Sequence, residues 1–189
     1  MTLSQFQSIG RDLFTRGLVS SHSGNLSVRA GDRLIITRRG SMLGALQEND
    51  LIETGVSKNS RATPLASVEL SVHRAIYQQT QAQAVVHAHP PYATAISLID
   101  CEITPSNMEG LVILGTVPVI GCAGDVRPGA LADDIAQALK KHQKIIMVRG
   151  HGSFAIGQLL EEAYNFTTAL EESCHIIYLL KSLHSSPAH

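Results

Sequence analysis

"AVVHAHPPYATA", residues 84–95, is the stretch whose reading decides the fold. Val85 and Val86 are β-branched and predict a strand. Pro90 and Pro91 cannot donate to a ladder, so the strand stops there and a helix near 91–99 follows. Side chains two apart on a strand share a face. His87 and His89 therefore aim the same way from the end of one strand. Two such histidines are either half of a metal site or an ordinary hydrogen-bonded pair, and the remaining chain has to choose.

Working outward, "KIIMV" (144–148) is a continuous apolar run of the kind that fills a central strand. "GHGSFAIG" (150–157) predicts a turn leading into another strand, and residues 159–183 a long helix. On the other side, Leu3, Phe6, Ile9, Leu13 and Phe14 keep a helical period that Gly17 closes. Residues 26–38 alternate on both sides of Gly31-Asp32 and predict a hairpin. "LIETGV" (51–56) and "VPVIG" (117–121) read as short strands. "RGSMLGALQEND" (39–50) reads as loop with room for a short turn, and "CEITPSNMEG" (101–110) as loop. Ser67 is the expected N-cap of a helix reaching Gln79. Pro128 stands near the start of a further helix in "RPGALADDIAQALKKH". No repeat, linker or low-complexity segment interrupts the chain. The expectation is one α/β layered domain over 1–189 with a mixed sheet and a frayed tail from about 184.

Composition is ordinary, at 44% hydrophobic and 16% charged with a net charge of −1. Lys and Arg form no dense block beyond Arg38-Arg39, which argues against a nucleic-acid partner. The N-terminal segment lacks the apolar core of a signal peptide, and residues 111–124 are too short and broken to span a bilayer. Three isolated cysteines (Cys101, Cys122 and Cys174) without a C-x-x-C predict buried thiols in a reduced, cytoplasmic protein.

A catalytic zinc site needs three nitrogen, sulfur or oxygen ligands and an open position. His151, between Gly150 and Gly152 just after "KIIMV", supplies a third imidazole at a second strand end. Its glycine neighbours permit close backbone approach. Glu69, beside Ser67, is a carboxylate at a helix start. Spacing alone leaves it either a simple dipole partner or a base beside the metal. His73, four residues on, shares its face and could form a separate ligand pair with it. Small-polar "SHSGN" and Gly40 could turn backbone N–H groups toward an anion, or could be plain hairpin ends.

Taken in order, "SGNLSVR", "ITRRG", "SVELSVH", "AVVHAHP" and "GHGSFAIG" resemble the class II aldolase/adducin family, over nearly the whole chain. The resemblance implies a three-layer α/β/α sandwich around a mixed, mostly antiparallel sheet. It implies a homotetramer with the site at a subunit boundary. It also implies Zn²⁺ on His87, His89 and His151, with Co²⁺, Mn²⁺ or Fe²⁺ as substitutes. Glu69 matches the catalytic carboxylate, while Gly24, Asn25, Gly40 and Ser67 match the cradle of a substrate phosphate. The implied reaction is reversible retro-aldol cleavage of a ketose 1-phosphate to dihydroxyacetone phosphate and an aldehyde. Family relatives of another reaction type are pentulose-phosphate 4-epimerases, which usually carry Asp where Glu69 stands, and methylthioribulose-phosphate-type dehydratases. Adducin-like members bind without catalysis and lack the ligands.

Four departures qualify the match. Val68 replaces a serine, and Arg39 replaces a small polar residue, offering a guanidinium fork to phosphate. The family's proton-donating tyrosine is missing from "TPSNMEGL", where Glu109 is the candidate replacement. The family's C-terminal tail is also expected to be missing.

Overall fold

The structure is a computed structural model that describes residues 3–122, 131–141 and 144–185. Among the described residues, eight strands form one sheet: β1 (Asn25–Ala30), β2 (Arg33–Thr37), β3 (Leu51–Gly55), β4 (Ala84–Ala88), β5 (Glu102–Ile103), β6 (Val117–Ile120), β7 (Ile145–Val148) and β8 (Gly152–Gly157). Their spatial order is β3-β2-β1-β4-β8-β7-β6-β5. β6 and β7 run parallel, and every other neighbouring pair is antiparallel. The sheet is thus mixed and mostly antiparallel, as expected.

Among the described residues, six α-helices cover its two faces: α1 (Leu3–Thr15), α2 (Leu70–Gln79), α3 (Pro91–Ser97), α4 (Met108–Ile113), α5 (Ala132–Lys140) and α6 (Leu160–Ser185). Strand alternation divides the core in two. Leu26, Val28, Ala84, Val86 and Ala88 point into the layer containing α1, α3 and α6. Leu34, Ile36, Val85, Ile146 and Phe154 point into the layer built from α2 and α5. All five residues of β4 are buried, so this strand is central and both of its faces are covered. Among the described residues, no helix is long and apolar enough to cross a membrane.

Several local expectations need correction. α2 begins at Leu70 with Glu69 at the N-cap position, not Ser67. The Ser67 hydroxyl accepts the Glu69 N–H at 3.3 Å, so it shapes the preceding turn instead. Residues 101–110 are not all loop: β5 and the start of α4 lie there. A two-residue strand carries no alternation to read, and Pro105 disguises the helix that follows. Phe14 keeps the helical period of α1 but is 43% exposed, packed over Gly44 rather than in the core. Pro128 and the tail beyond Ser185 lie outside the described residues.

The cysteine expectation is also overturned. Cys101 and Cys122 form a disulfide, both on the surface, with Cα atoms 5.9 Å apart. The pairing of β5 with β6 creates this proximity, and the Val119 N–H donates to the Cys101 carbonyl at 3.0 Å. Only Cys174 is a free, buried thiol, and burial pushes it up to about 12.

Candidate active site

Four chain segments meet at one end of the central strands: the start of β1, the end of β4, the turn between β7 and β8, and the N-terminus of α2. Asn25 lies directly across from His87 in the β1–β4 ladder, and Phe154 flanks His87 from β8. The His87 ring stacks on Phe154 at 4.1 Å between centroids. Its Nδ1 donates to the Ser153 carbonyl at 2.9 Å. That bond orients the ring and turns Nε2 toward the cluster.

His89 continues the same face just past the strand, as its spacing predicted. Its backbone N–H donates to the Leu18 carbonyl at 2.7 Å. Its Nε2 lies 2.9 Å from His87 Nε2. The ring of His151 comes in from the β7–β8 turn, 5.1 Å from that of His87 and 4.7 Å from that of His89. One donor atom from each of the three histidines falls within 4.8 Å of the other two.

The turn that carries His151 is clasped to the helix following His89. Arg149 donates to the Ser97 and Leu98 carbonyls at 3.1 and 2.5 Å, and the Gly150 N–H donates to Ser97 Oγ at 2.9 Å. Gly152 lies so close to β4 that an added Cβ would stand 2.8 Å from His89 Cδ2 and 3.2 Å from His87 Cε1. Glycine at 152 is therefore a requirement of packing.

Glu69 faces this cluster. Its Oε2 lies 2.9 Å from His87 Nε2 and 2.7 Å from Asn25 Nδ2, and its Oε1 lies 3.1 Å from His151 Nε2. Burial opposes its charge, but the field of His87 and the hydrogen bonds from His151, His87 and Asn25 outweigh burial. The carboxyl is held well below its ordinary range. His89 is lowered to about 3 by burial, then by His87 and His151, against the pull of Glu69. Three imidazole nitrogens and a carboxylate, turned inward on one point, form a donor set suited to a divalent cation. The residues that could hold it are His87, His89 and His151, with Glu69 alongside.

His73 does not join them. Burial lowers it to about 3, aided by His87 and opposed by Glu69. Its Nδ1 lies 2.6 Å from Ser27 Oγ and its Nε2 2.5 Å from Asn25 Oδ1. Both ring nitrogens are committed, which removes His73 as a metal ligand paired with Glu69. Ser27 also meets the Tyr77 hydroxyl at 2.7 Å. Sequence reasoning missed Ser27 and Tyr77. The signal was present, since Asn25 and Ser27 alternate on β1 while Glu69, His73 and Tyr77 recur every four residues on α2.

A cavity of about 260 Å³ opens above Glu69, His89 and His151. Its opposite wall contains Gly24, Asn25, Gly40 and Ser67, the four expected phosphate residues, together with Arg38 and Arg39. Two contacts assemble that wall. The Arg39 N–H donates to the Leu65 carbonyl at 2.9 Å, and the Ser67 N–H to the Thr37 carbonyl at 3.1 Å. Gly24 and Gly40 both have positive φ, 75° and 71°. His22, also missed, lies with Nδ1 3.1 Å from the Gly40 carbonyl. Glu109 stands exposed on α4 and is not among the residues lining this cavity. Larger clefts occur elsewhere, such as the one of about 460 Å³ between the end of α2 and α6. That cleft has no comparable convergence of titratable groups.

Comparison with known proteins agrees with this arrangement. The sequence profile of the Class II Aldolase and Adducin N-terminal domain matches residues 4–178. An L-fuculose phosphate aldolase of Methanocaldococcus jannaschii is 31% identical, the match covering 95% of this chain and 97% of that one. The crystal structure of L-fuculose-1-phosphate aldolase from Thermus thermophilus superposes with a TM-score of 0.90 at 35% identity, over 97% and 96% of the two chains. A 3-oxo-tetronate 4-phosphate decarboxylase of Pectobacterium atrosepticum is 30% identical over 94% of this chain and 84% of its own. With its mixed sheet clad on both faces and its histidine-lined cavity, the chain belongs to the class II aldolase and adducin N-terminal domain family.

Proposed function

We propose that this chain is a metal-dependent aldolase, one catalytic domain that reversibly cleaves a ketose 1-phosphate to dihydroxyacetone phosphate and a small aldehyde. The observation that carries the reading is Glu69, held 2.9 and 3.1 Å from two of three convergent imidazoles beneath the cavity. A divalent cation on His87, His89 and His151, most simply Zn²⁺, would supply Lewis acidity that makes the carbon beside a ketone acidic. Glu69 takes the proton from that carbon in the synthetic direction. The electron pair left behind adds to the aldehyde carbonyl, and the new alkoxide takes up a proton. Cleavage runs the same steps backward, with Glu69 returning its proton to carbon.

The far wall binds the phosphate. Gly24 and Gly40 bend the backbone around it, Ser67 and Asn25 donate hydrogen bonds, and Arg39 supplies charge. Glu69 in place of the epimerases' aspartate favours carbon–carbon cleavage. The reading includes a cytoplasmic setting and a homotetramer whose neighbouring subunit closes the cavity. Support comes from the likeness to proteins named as fuculose phosphate aldolases.

The decarboxylase relative favours a second reading. Loss of CO₂ from a 3-oxo acid leaves the same kind of electron pair beside a carbonyl, so the same residues serve either reaction. A panel separates the two. Zinc-loaded protein is offered fuculose 1-phosphate, ribulose 1-phosphate and 3-oxo-tetronate 4-phosphate, and dihydroxyacetone phosphate and CO₂ are assayed. Triose phosphate from a ketose 1-phosphate is expected. CO₂ alone would install the decarboxylase reading, and epimerised or dehydrated product would install one of the other family reactions. Inertness toward all substrates, together with failure to take up a divalent metal, would leave the adducin-like alternative.

A further inference from the structure

The stripe Glu69, His73, Tyr77 on α2 lies along Asn25 and Ser27 of β1. Four helical residues rise about 6 Å and two strand residues about 6.6 Å, so the two periods stay in step and each side chain meets the next. We propose that Tyr77, Ser27 and His73 form a buried positioning chain that fixes the polarity of the Asn25 amide, so that its NH₂ end, and not its oxygen, faces the cavity. The inference rests on reading Glu69 as the base and Asn25 as a donor to the substrate phosphate.

The direction of every hydrogen bond follows from one end. Asn25 Nδ2 donates to Glu69 Oε2 at 2.7 Å, so the NH₂ end of the amide faces the carboxyl group. Asn25 Oδ1 then faces His73 and accepts, which requires the hydrogen on His73 Nε2. The neutral ring consequently has a bare Nδ1, and Ser27 must donate to it. Ser27 Oγ is left to accept from the Tyr77 hydroxyl. His73, Ser27 and Tyr77 are each at most 1% exposed, so water is a poor substitute for a missing member.

The arrangement serves two recipients. One Nδ2 hydrogen goes to Glu69, while the second is free to meet an anionic oxygen in the cavity. A flipped amide would put Oδ1 against both Glu69 and that anion, where it could donate to neither. An asparagine alone cannot enforce its orientation, because its two ends have nearly the same shape. The donor at His73 Nε2 breaks that symmetry, and the Ser27 hydroxyl at Nδ1 keeps the His73 tautomer correct.

The test uses full-length protein with Zn²⁺ bound. Long-range ¹H–¹⁵N spectra of the His73 ring report which nitrogen carries hydrogen. The wild type is expected to show the Nε2–H tautomer alone. Ser27→Ala should populate Nδ1–H and weaken binding of inorganic phosphate by about ten- to a hundredfold, the cost of losing a hydrogen bond to a charged group. Its zinc content should stay at the wild-type level. Tyr77→Phe, which keeps the ring, should show a smaller effect in the same direction. Ser27→Thr, which keeps the hydroxyl, should restore phosphate binding.

A wild-type His73 with hydrogen on Nδ1 would overturn the proposal. So would unchanged phosphate affinity in folded Ser27→Ala, even with a lower Tm, since that is what a purely structural serine would give. Neither measurement needs turnover. If the substrate panel fails while spectra and phosphate binding behave as described, the aldolase reading falls and the positioning chain stands.

Discussion

Gly152→Ala should weaken metal binding without touching a ligand. The new methyl would fall inside contact distance of the Ala88 carbonyl, 2.8 Å from His89 Cδ2 and 3.2 Å from His87 Cε1, where ordinary contact begins near 3.4 Å. The carbonyl belongs to a central strand and cannot rotate away. The His87 ring is pinned by Ser153 and by its stack on Phe154. The backbones of β4 and β8 must therefore part at this point, carrying His87 and His89 with them, and the His89 ring has in addition to move by 3.4 − 2.8 = 0.6 Å. Bonds to a bound divalent ion tolerate only about 0.2 Å of error. Affinity for Zn²⁺ should therefore fall about ten- to a hundredfold, the usual consequence of disturbing what orients a ligand. Overpacking should cost a further 1–3 kcal/mol or so of stability. Competition against a chromophoric chelator measures the first quantity and thermal unfolding the second. Gly40→Ala is the control. Its methyl meets open space at φ 71°, so it should lose stability through backbone strain alone and keep its zinc affinity. Zinc affinity within twofold of wild type for Gly152→Ala, at unchanged Tm, would refute the reasoning.

Glu69→Gln should retain metal and fold but lose about 10²- to 10⁴-fold in kcat, the range for a removed general base; near-normal turnover would take Glu69 out of that role. Arg39→Ala should raise KM for a phosphorylated ketose and leave KM for its unphosphorylated counterpart unchanged, and equal effects on both would disconnect Arg39 from the phosphate. Stability of metal-stripped protein should decline in acid because His73 is held neutral: burial and His87 lower it from 6.5 to about 3, against the opposing charge of Glu69. The unfolded chain takes up this proton first, so the contribution is complete above about 6.5 and is lost from there down to about 3, at up to about 1.4 kcal/mol per pH unit. Urea unfolding at pH 7 and pH 5 checks this, since His73→Gln should flatten the difference; the same difference in both proteins would contradict it.

The central sheet was legible because β4 and β7 are short apolar runs with unambiguous boundaries, and because Gly31-Asp32 marks its hairpin. The histidine cluster was legible for a different reason. A strand places alternate residues on one face, so His87 and His89 had to agree in direction, and the glycines around His151 marked a turn with room for close approach. What escaped depended on neighbours distant in sequence. Cys101 and Cys122 meet only because β5 pairs with β6. The roles of Ser27 and Tyr77 emerge only when α2 is laid across β1. Glu69 was read as a first-turn residue but stands one step earlier, at the cap position, because Ser67 serves the preceding turn.

The clasp of Arg149 and Gly150 onto the carbonyls and hydroxyl at the end of α3 has a thermodynamic corollary. Imidazoles from separate strand ends are tied to a common helix by the polypeptide itself. Folding thus shapes the receptacle in advance, and a cation binding there would spend little of its binding energy on ordering the chain. A receptacle set in advance by N–H···O bonds also discriminates weakly among cations of similar size. Which one occupies it in a living cell is then decided as much by supply as by preference.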